Sequence, residues 1–167
     1  MKPSRFHLAQ LNIGRMRGPI DDPVMEGFRS QLEAINALAD RSPGFVWRLQ
    51  TEDGDATAIR AYEDPLMAVN MSVWESLDAL HAYVYGSAHV GVLRDRKQWF
   101  DPASDHILVL WWVPAGHLPT IEEAKQKLGA LREHGPSAAA FTFRRPFPPP
   151  GTAAIDAPEV DAEFCRG

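Results

Sequence analysis

Cysteine is nearly absent. The single thiol, Cys165, cannot form an internal disulfide, and no base is fixed beside it, so neither an oxidising compartment nor thiol catalysis is indicated. Long hydrophobic runs are missing too. The longest strand-like run, Ile107 to Val113, falls far short of the ~20 apolar residues that span a bilayer. The first residues lack the apolar stretch of a signal peptide, so a cytoplasmic soluble protein is expected, with no membrane partner. Positive charge is also in deficit. Seventeen Lys and Arg against 22 Asp and Glu give a net charge of −5, which argues against a nucleic-acid surface.

Several chemical signatures are missing. There is no G-x-S-x-G elbow, P-loop or G-x-G-x-x-G, which weighs against hydrolase, nucleotidase and dinucleotide-dependent dehydrogenase readings. None of the six histidines has H-x-x-x-H or H-E-x-x-H spacing. Asp101, Asp105 and His106 lie close together without a further ligand, so no metal site is expected. What remains is 167 residues with 45% apolar and 23% charged side chains, the composition of one ordinary globular domain.

The periodicity gives an order of elements. Phe6 to Ile13 reads as a strand. Asp22-Pro23 opens a helix, with Asp as N-cap and Pro in the first turn, and Val24, Phe28, Leu32, Ile35 and Leu38 fall on one face. Phe45 to Gln50 and Met67 to Trp74 alternate as strands, while Ala58 to Tyr62 fits a short strand or a loop equally well. Ser76 and Ser87 can cap two successive helical segments, and Ile107 to Val113 is an inner strand. Strand, helix, strand, strand, helix, strand is the split βαβ order of a ferredoxin-like α+β sandwich, with an antiparallel sheet and both helices on one face. Thr120-Ile121-Glu122-Glu123 is a capping box for an added helix closed by Gly135-Pro136, followed by a last strand over 138–143. The whole reads as one domain over residues 1–150 (core 5–113, added helix and strand 120–144), with 151–167 as a loosely held tail.

Two helices cover one face of such a sheet, leaving the other to solvent or a partner. If the fully apolar face meets the helices, the open face carries Gln10, Asn12, Arg48, Gln50, Asn70, Ser72 and Trp74, together with Trp111 or Trp112. A few polar groups among large apolar ones suit a small-molecule pocket, although a wet outer sheet face has the same alternation.

Ser72-Val73-Trp74-Glu75-Ser76, followed by Gly86-Ser87-Ala88-His89, resembles the V-W-x-S and S-x-x-H segments of the antibiotic-biosynthesis-monooxygenase-like dimeric α+β-barrel superfamily. Residues 44–50, 70–76, 94–100, 110–118 and 141–149 resemble more closely one bacterial branch of it, a domain family of unknown function. The resemblance implies a C2 homodimer whose two sheets enclose a ligand cavity. It also implies an enzyme of the cofactor-independent monooxygenase type, acting on a planar apolar substrate. His89 would be the catalytic base. Asn12, Arg48, Asn70, Trp74, Trp112 and His117 would be ligand-binding, and no cofactor is expected.

Haem is the alternative, with His89 as axial ligand. Haem-degrading relatives place their ligating His where this chain has Leu93, and their pocket Trp where it has Tyr83, so the usual haem geometry is not expected. A non-catalytic dimeric binding module is the third reading. Structural roles compete at each position: Arg48 as a cross-strand ion pair, His117 as a cap for the helix at Thr120, and Arg94 to Lys97 as a solvated helix face.

Overall fold

The sheet is built on β1 (Phe6–Arg15), whose residues alternate between Leu8, Gln10 and Asn12 on one face and Ala9, Leu11 and Ile13 on the other. It pairs antiparallel with β3 (Met67–Trp74) and with β4 (Leu108–Pro114), and β2 (Phe45–Arg48) adds outside β3. The order β2-β3-β1-β4 is that of the split βαβ sandwich expected from the sequence. The computed structural model describes residues 4–152, so Cys165 and most of the expected tail lie outside the described residues.

Between β1 and β2 the chain forms a 3-10 turn (Pro23–Met25), α1 (Glu26–Arg29) and α2 (Leu32–Asp40). Asp22 caps it as expected, accepting from the Val24 N–H at 2.9 Å. The single apolar stripe does not survive. The Gly27 carbonyl accepts from the side chains of Ser30 and Gln31, at 3.2 and 2.8 Å, and the helix breaks at those residues. The phase then shifts: Val24 is exposed, while Met25 and Ala39 are buried.

Between β3 and β4 come α3 (Leu77–Gly86), α4 (His89–Asp95) and a 3-10 turn (Arg96–Gln98). Ser76 caps α3 through the Ala79 N–H, and Ser87 accepts from the His89 N–H. Residues 58–62 form no strand. The capping box opens α5 (Ile121–His134), with Thr120 accepting from the Glu123 N–H at 3.1 Å, and Gly135 closes it.

The two faces of the sheet are covered in the reverse sense to the expectation above. The fully apolar face, with Ala9, Leu11, Met71, Val73, Val109, Trp111 and Val113, packs against Ala124, Leu128 and Leu131 of α5. The face carrying Gln10, Asn12, Asn70 and Ser72 turns towards α2 and α3, whose Ala39, Leu77 and Leu80 cluster with Leu8, Trp74 and Leu110. The added helix therefore takes the surface expected to meet solvent or a second copy. The polar groups expected between two sheets lie on the side of the chain's own crossover helices. An unbroken apolar face is satisfied most fully by the longest amphipathic helix, α5.

Among the described residues, pairing with the sheet after α5 is confined to Phe141, in place of the strand expected over 138–143; it exchanges both backbone hydrogen bonds with Leu110 at 2.8 Å, between tight turns at Ser137–Ala140 and Thr142–Arg145. This strap covers the outer edge of β4 and buries Phe141 and Phe143 against the helix-side face.

Candidate functional site

The register places Asn12 opposite Asn70, Gln10 opposite Ser72 and Leu8 opposite Trp74. On the helix-side face, the Gln10 amide donates to Asn70 Oδ1 at 2.7 Å and to Ser72 Oγ at 2.9 Å, and the Trp74 indole N–H also donates to Ser72 Oγ at 2.9 Å. Gln10, Ser72 and Trp74 are buried, so the network is fixed. Asn70 is exposed although it sits within an inner strand, and Asn12 is half-buried beside it. Gln10 occupies the Asn70 carbonyl and leaves its NH2 donors free for a ligand.

One end of this face is aromatic. The Trp74 and Tyr83 rings stack with centroids 5.0 Å apart, Phe45 meets Trp74 edge-on at 5.4 Å, and the His89 ring lies 4.8 Å from Tyr83. His89 Nδ1 lies 3.4 Å from the Val84 carbonyl, a long contact. A carbonyl can only accept, so the proton sits on Nδ1 and Nε2 keeps its lone pair. Burial holds the His89 pKa below its ordinary value, partly offset by the Val84 carbonyl, so the ring is neutral near pH 7. Burial raises the Tyr83 phenol, which stays protonated and meets the Ile35 carbonyl at 3.3 Å.

The other end carries a cation. His89, Val92, Arg96 and Phe100 recur at helical spacing along α4 and the turn after it. The Arg96 guanidinium lies 5.2 Å from the Phe100 ring centroid, with Nη2 3.4 Å from the Ile13 carbonyl. Phe28 packs edge-on against Phe100 at 5.1 Å. Gly14 makes room for both: a Cβ there would lie 2.7 Å from Phe100 Cδ1 and 3.1 Å from Arg96 Nη2. Arg96 is half-buried, and burial pulls its pKa below the usual value. It does not share the solvated face expected for the Arg94 to Lys97 run. Its spacing, seven residues after His89 and four before Phe100, is the signal for the inner face.

The remaining expected site residues are held elsewhere. Arg48 pairs with Asp40 at 2.7 Å and donates to the Gly54 carbonyl at 2.6 Å, which ties β2 to α2 and the 53–57 loop. It lines a groove of about 510 Å³ beside α2, together with Glu33, Asp53 and Asp55, and the Arg48–Asp40 pair lies close enough to Tyr83 to act on its phenol electrostatically. Trp112 donates to the Phe147 carbonyl at 2.8 Å, and its ring meets Phe141 at 6.3 Å, so the strap covers it where a ligand was expected. His117 Nε2 lies 2.8 Å from Glu123 Oε2, a side-chain pair at the first turn of α5, whose cap is Thr120 and not His117. Asp101 pairs with Arg15, and Asp105 with Arg132. Among the described residues no group of three or more His, Cys, Asp or Glu is placed to hold a metal ion, and no helix is long and apolar enough to cross a membrane.

The sequence profile of a domain of unknown function, DUF3291, matches residues 7–157, nearly the whole chain. The chain belongs to the DUF3291 family. The DUF3291 match runs from β1 through the strap, so α5 and the Phe141 segment are within the family's domain. No curated protein matches in sequence. Among solved structures, the chain is similar to a protein of unknown function from Nitrosomonas europaea (13% identity, 70% of this chain and 97% of that one, TM-score 0.43). It is also similar to a variant of SnoaB, a cofactor-independent oxygenase from Streptomyces nogalater (17% identity, 67% and 95%, TM-score 0.42). At these values neither likeness carries weight for function, and the fold stands on the strand order.

Proposed function

We propose that the protein is a small-molecule enzyme of the cofactor-independent monooxygenase type, with its site between the sheet and the crossover helices of one chain. The observation that supports the reading is a neutral, half-buried His89 imidazole at the aromatic end of the sheet face on which Asn70 keeps free amide donors. A planar substrate with an acidic C–H would lie beside Tyr83, whose ring is backed by the buried Trp74. The Asn70 and Asn12 amides would hold its carbonyl oxygen and stabilise the enolate, while His89 Nε2 takes the proton. The carbanion then passes electrons to dioxygen. One oxygen atom ends as a new carbonyl on the substrate carbon, and the other leaves as water with the two hydrogens of the CH2 group. Every side chain in this reading belongs to one chain, so the homodimer implied by the resemblance is not needed to complete the site.

Oxygen uptake with anthrone, a planar ketone with an acidic CH2, tests the proposal. The wild type should consume one O2 per anthrone. His89→Ala should lower the rate by about 10²-fold or more while anthrone still binds. Equal rates in the two proteins would overturn the role of His89. A Soret band that saturates with one haemin per chain, and is lost in His89→Ala, would favour the haem reading instead.

A further inference from the structure

We infer that the substrate of this site carries a negative charge, a carboxylate on an aromatic ring system, and that Arg96 is the residue that selects it. The inference rests on the proposed site and adds the class of molecule that fills it.

Arg96 is a cation left without a counter-charge among the described residues. The acids nearest in sequence are already engaged: Asp95 pairs with Arg94 at 3.3 Å, and Asp101 with Arg15 at 3.0 Å. Asp64, a further acid at that end of the sheet, is also held by Arg15, at 2.8 Å. A guanidinium has five N–H donors, yet Arg96 makes one long contact with a carbonyl and one with a ring face. Withdrawing such a group from water without a partner is costly, and a planar carboxylate repays that cost through two parallel hydrogen bonds.

Its position suits that role. The Gly14 contact places Nη2 on the same face as Asn12, two residues and about 7 Å away along β1. The seven-residue spacing puts His89 roughly 10 Å from Arg96 along the helical run. Phe100 lies against the guanidinium with Phe28 packed on Phe100, and Tyr83 and Trp74 lie at the His89 end. An arenecarboxylate of two or three fused rings spans that interval, with its charge at Arg96 and its reacting carbon towards His89.

Calorimetric titration of the whole chain with 2-naphthoate and with neutral 2-naphthamide tests this. The wild type should bind 2-naphthoate at least tenfold more tightly, with a preference that shrinks as salt is raised. Arg96→Gln should abolish the preference by lowering 2-naphthoate affinity to that of 2-naphthamide, with the far-UV circular dichroism of the variant reporting its fold. Equal binding of the two ligands by the wild type would overturn the charge assignment and leave the pocket standing. A preference that survives Arg96→Gln would overturn the role of Arg96. Binding of neither ligand would overturn both the inference and the site on which it rests. If Arg96→Gln does not fold, Arg96→Met, which keeps most of the apolar stem, carries the same test of Arg96, while the wild-type comparison and its salt dependence decide the charge of the ligand.

Discussion

The indole of Trp74 and the phenol ring of Tyr83 stack with centroids 5.0 Å apart and planes 26° from parallel, joining the end of β3 to the middle of α3. Trp74 is fixed from the sheet side through Ser72, and Tyr83 reaches α2 through the Ile35 carbonyl at 3.3 Å. The pair is thus both packing and platform, since His89 leans on the second ring.

Tyr83 should separate those two roles. Tyr83→Phe keeps the stack and loses one long hydrogen bond, so it should cost about 1 kcal/mol or less in urea unfolding and leave ligand affinity intact. Tyr83→Ala removes the ring between Trp74 and His89, with an expected cost of about 3 kcal/mol and loss of 2-naphthoate binding. Equal losses from the two substitutions would mean that the hydroxyl, and not the ring, supports the site.

His89 sets a pH dependence whose sign follows from its burial. The folded state disfavours the imidazolium, so its pKa lies below the unfolded value of about 6.5. Between those two pKa values the unfolded chain binds more protons, and stability therefore falls as pH drops below about 6.5. His89→Gln should flatten that part of the decline when melting temperatures are compared from about pH 7.5 down to about pH 5. Catalysis should follow the neutral ring: kcat/KM rises through the same depressed pKa and is level by about pH 7. A wild-type rate that rises steeply above that pH would assign the base to another group.

The strand order is legible in the sequence because each strand alternates and each crossover helix begins at a side-chain cap, Asp22 or Ser76, as α5 does at Thr120. Which face each helix covers is not. Alternation sorts Leu11 from Asn12, but nothing local says that α5, which follows the last strand of the sheet, would claim the apolar side. That choice is made by tertiary packing of Ala124, Leu128 and Leu131 against Trp111 and its neighbours. Of the candidate site, Asn70, Asn12, Trp74 and His89 follow from alternation and motif. Arg48 and Trp112 enter the expectation because a guanidinium and an indole suit a pocket. Asp40 and Phe147, outside the strands that carry them, take up their donors instead. Arg96 is missed because charged neighbours on both sides disguise its helical phase.

Gly44 and Gly135 both have positive φ, at 81° and 75°, but differ in what surrounds them. At Gly135 no atom lies within 4 Å of an added Cβ, but φ 75° with ψ −178° is a region open essentially to glycine alone, so Gly135→Ala should cost about 2 kcal/mol, the backbone penalty alone. At Gly44 the added Cβ would lie 2.5 Å from the Ala79 Cβ on α3. Gly44→Ala should therefore cost about 3 kcal/mol, the backbone penalty plus overpacking. Adding Ala79→Gly should recover part of the second loss and none of the first, which a double-mutant cycle of unfolding free energies reads directly.

Arg48 and Asp40 supply the contrast with Arg96, because this guanidinium is spent within the protein. Its side chain is 11% exposed against 46% for Asp40. Arg48→Met keeps most of the apolar stem and removes the charge-assisted bonds to Asp40 and Gly54, with an expected cost of about 2 kcal/mol. The freed Asp40 carboxylate is solvated at little cost. Asp40→Ala leaves the more deeply buried partner uncompensated, so it should destabilise at least as much although it removes the more exposed group. Neither substitution should change 2-naphthoate affinity more than about twofold, because Arg48, although opposite Ser72 on the same face, gives its donors to Asp40 and the Gly54 carbonyl and has none left for a ligand. A tenfold loss of affinity in Arg48→Met, with the fold intact, would move the ligand to the groove beside α2.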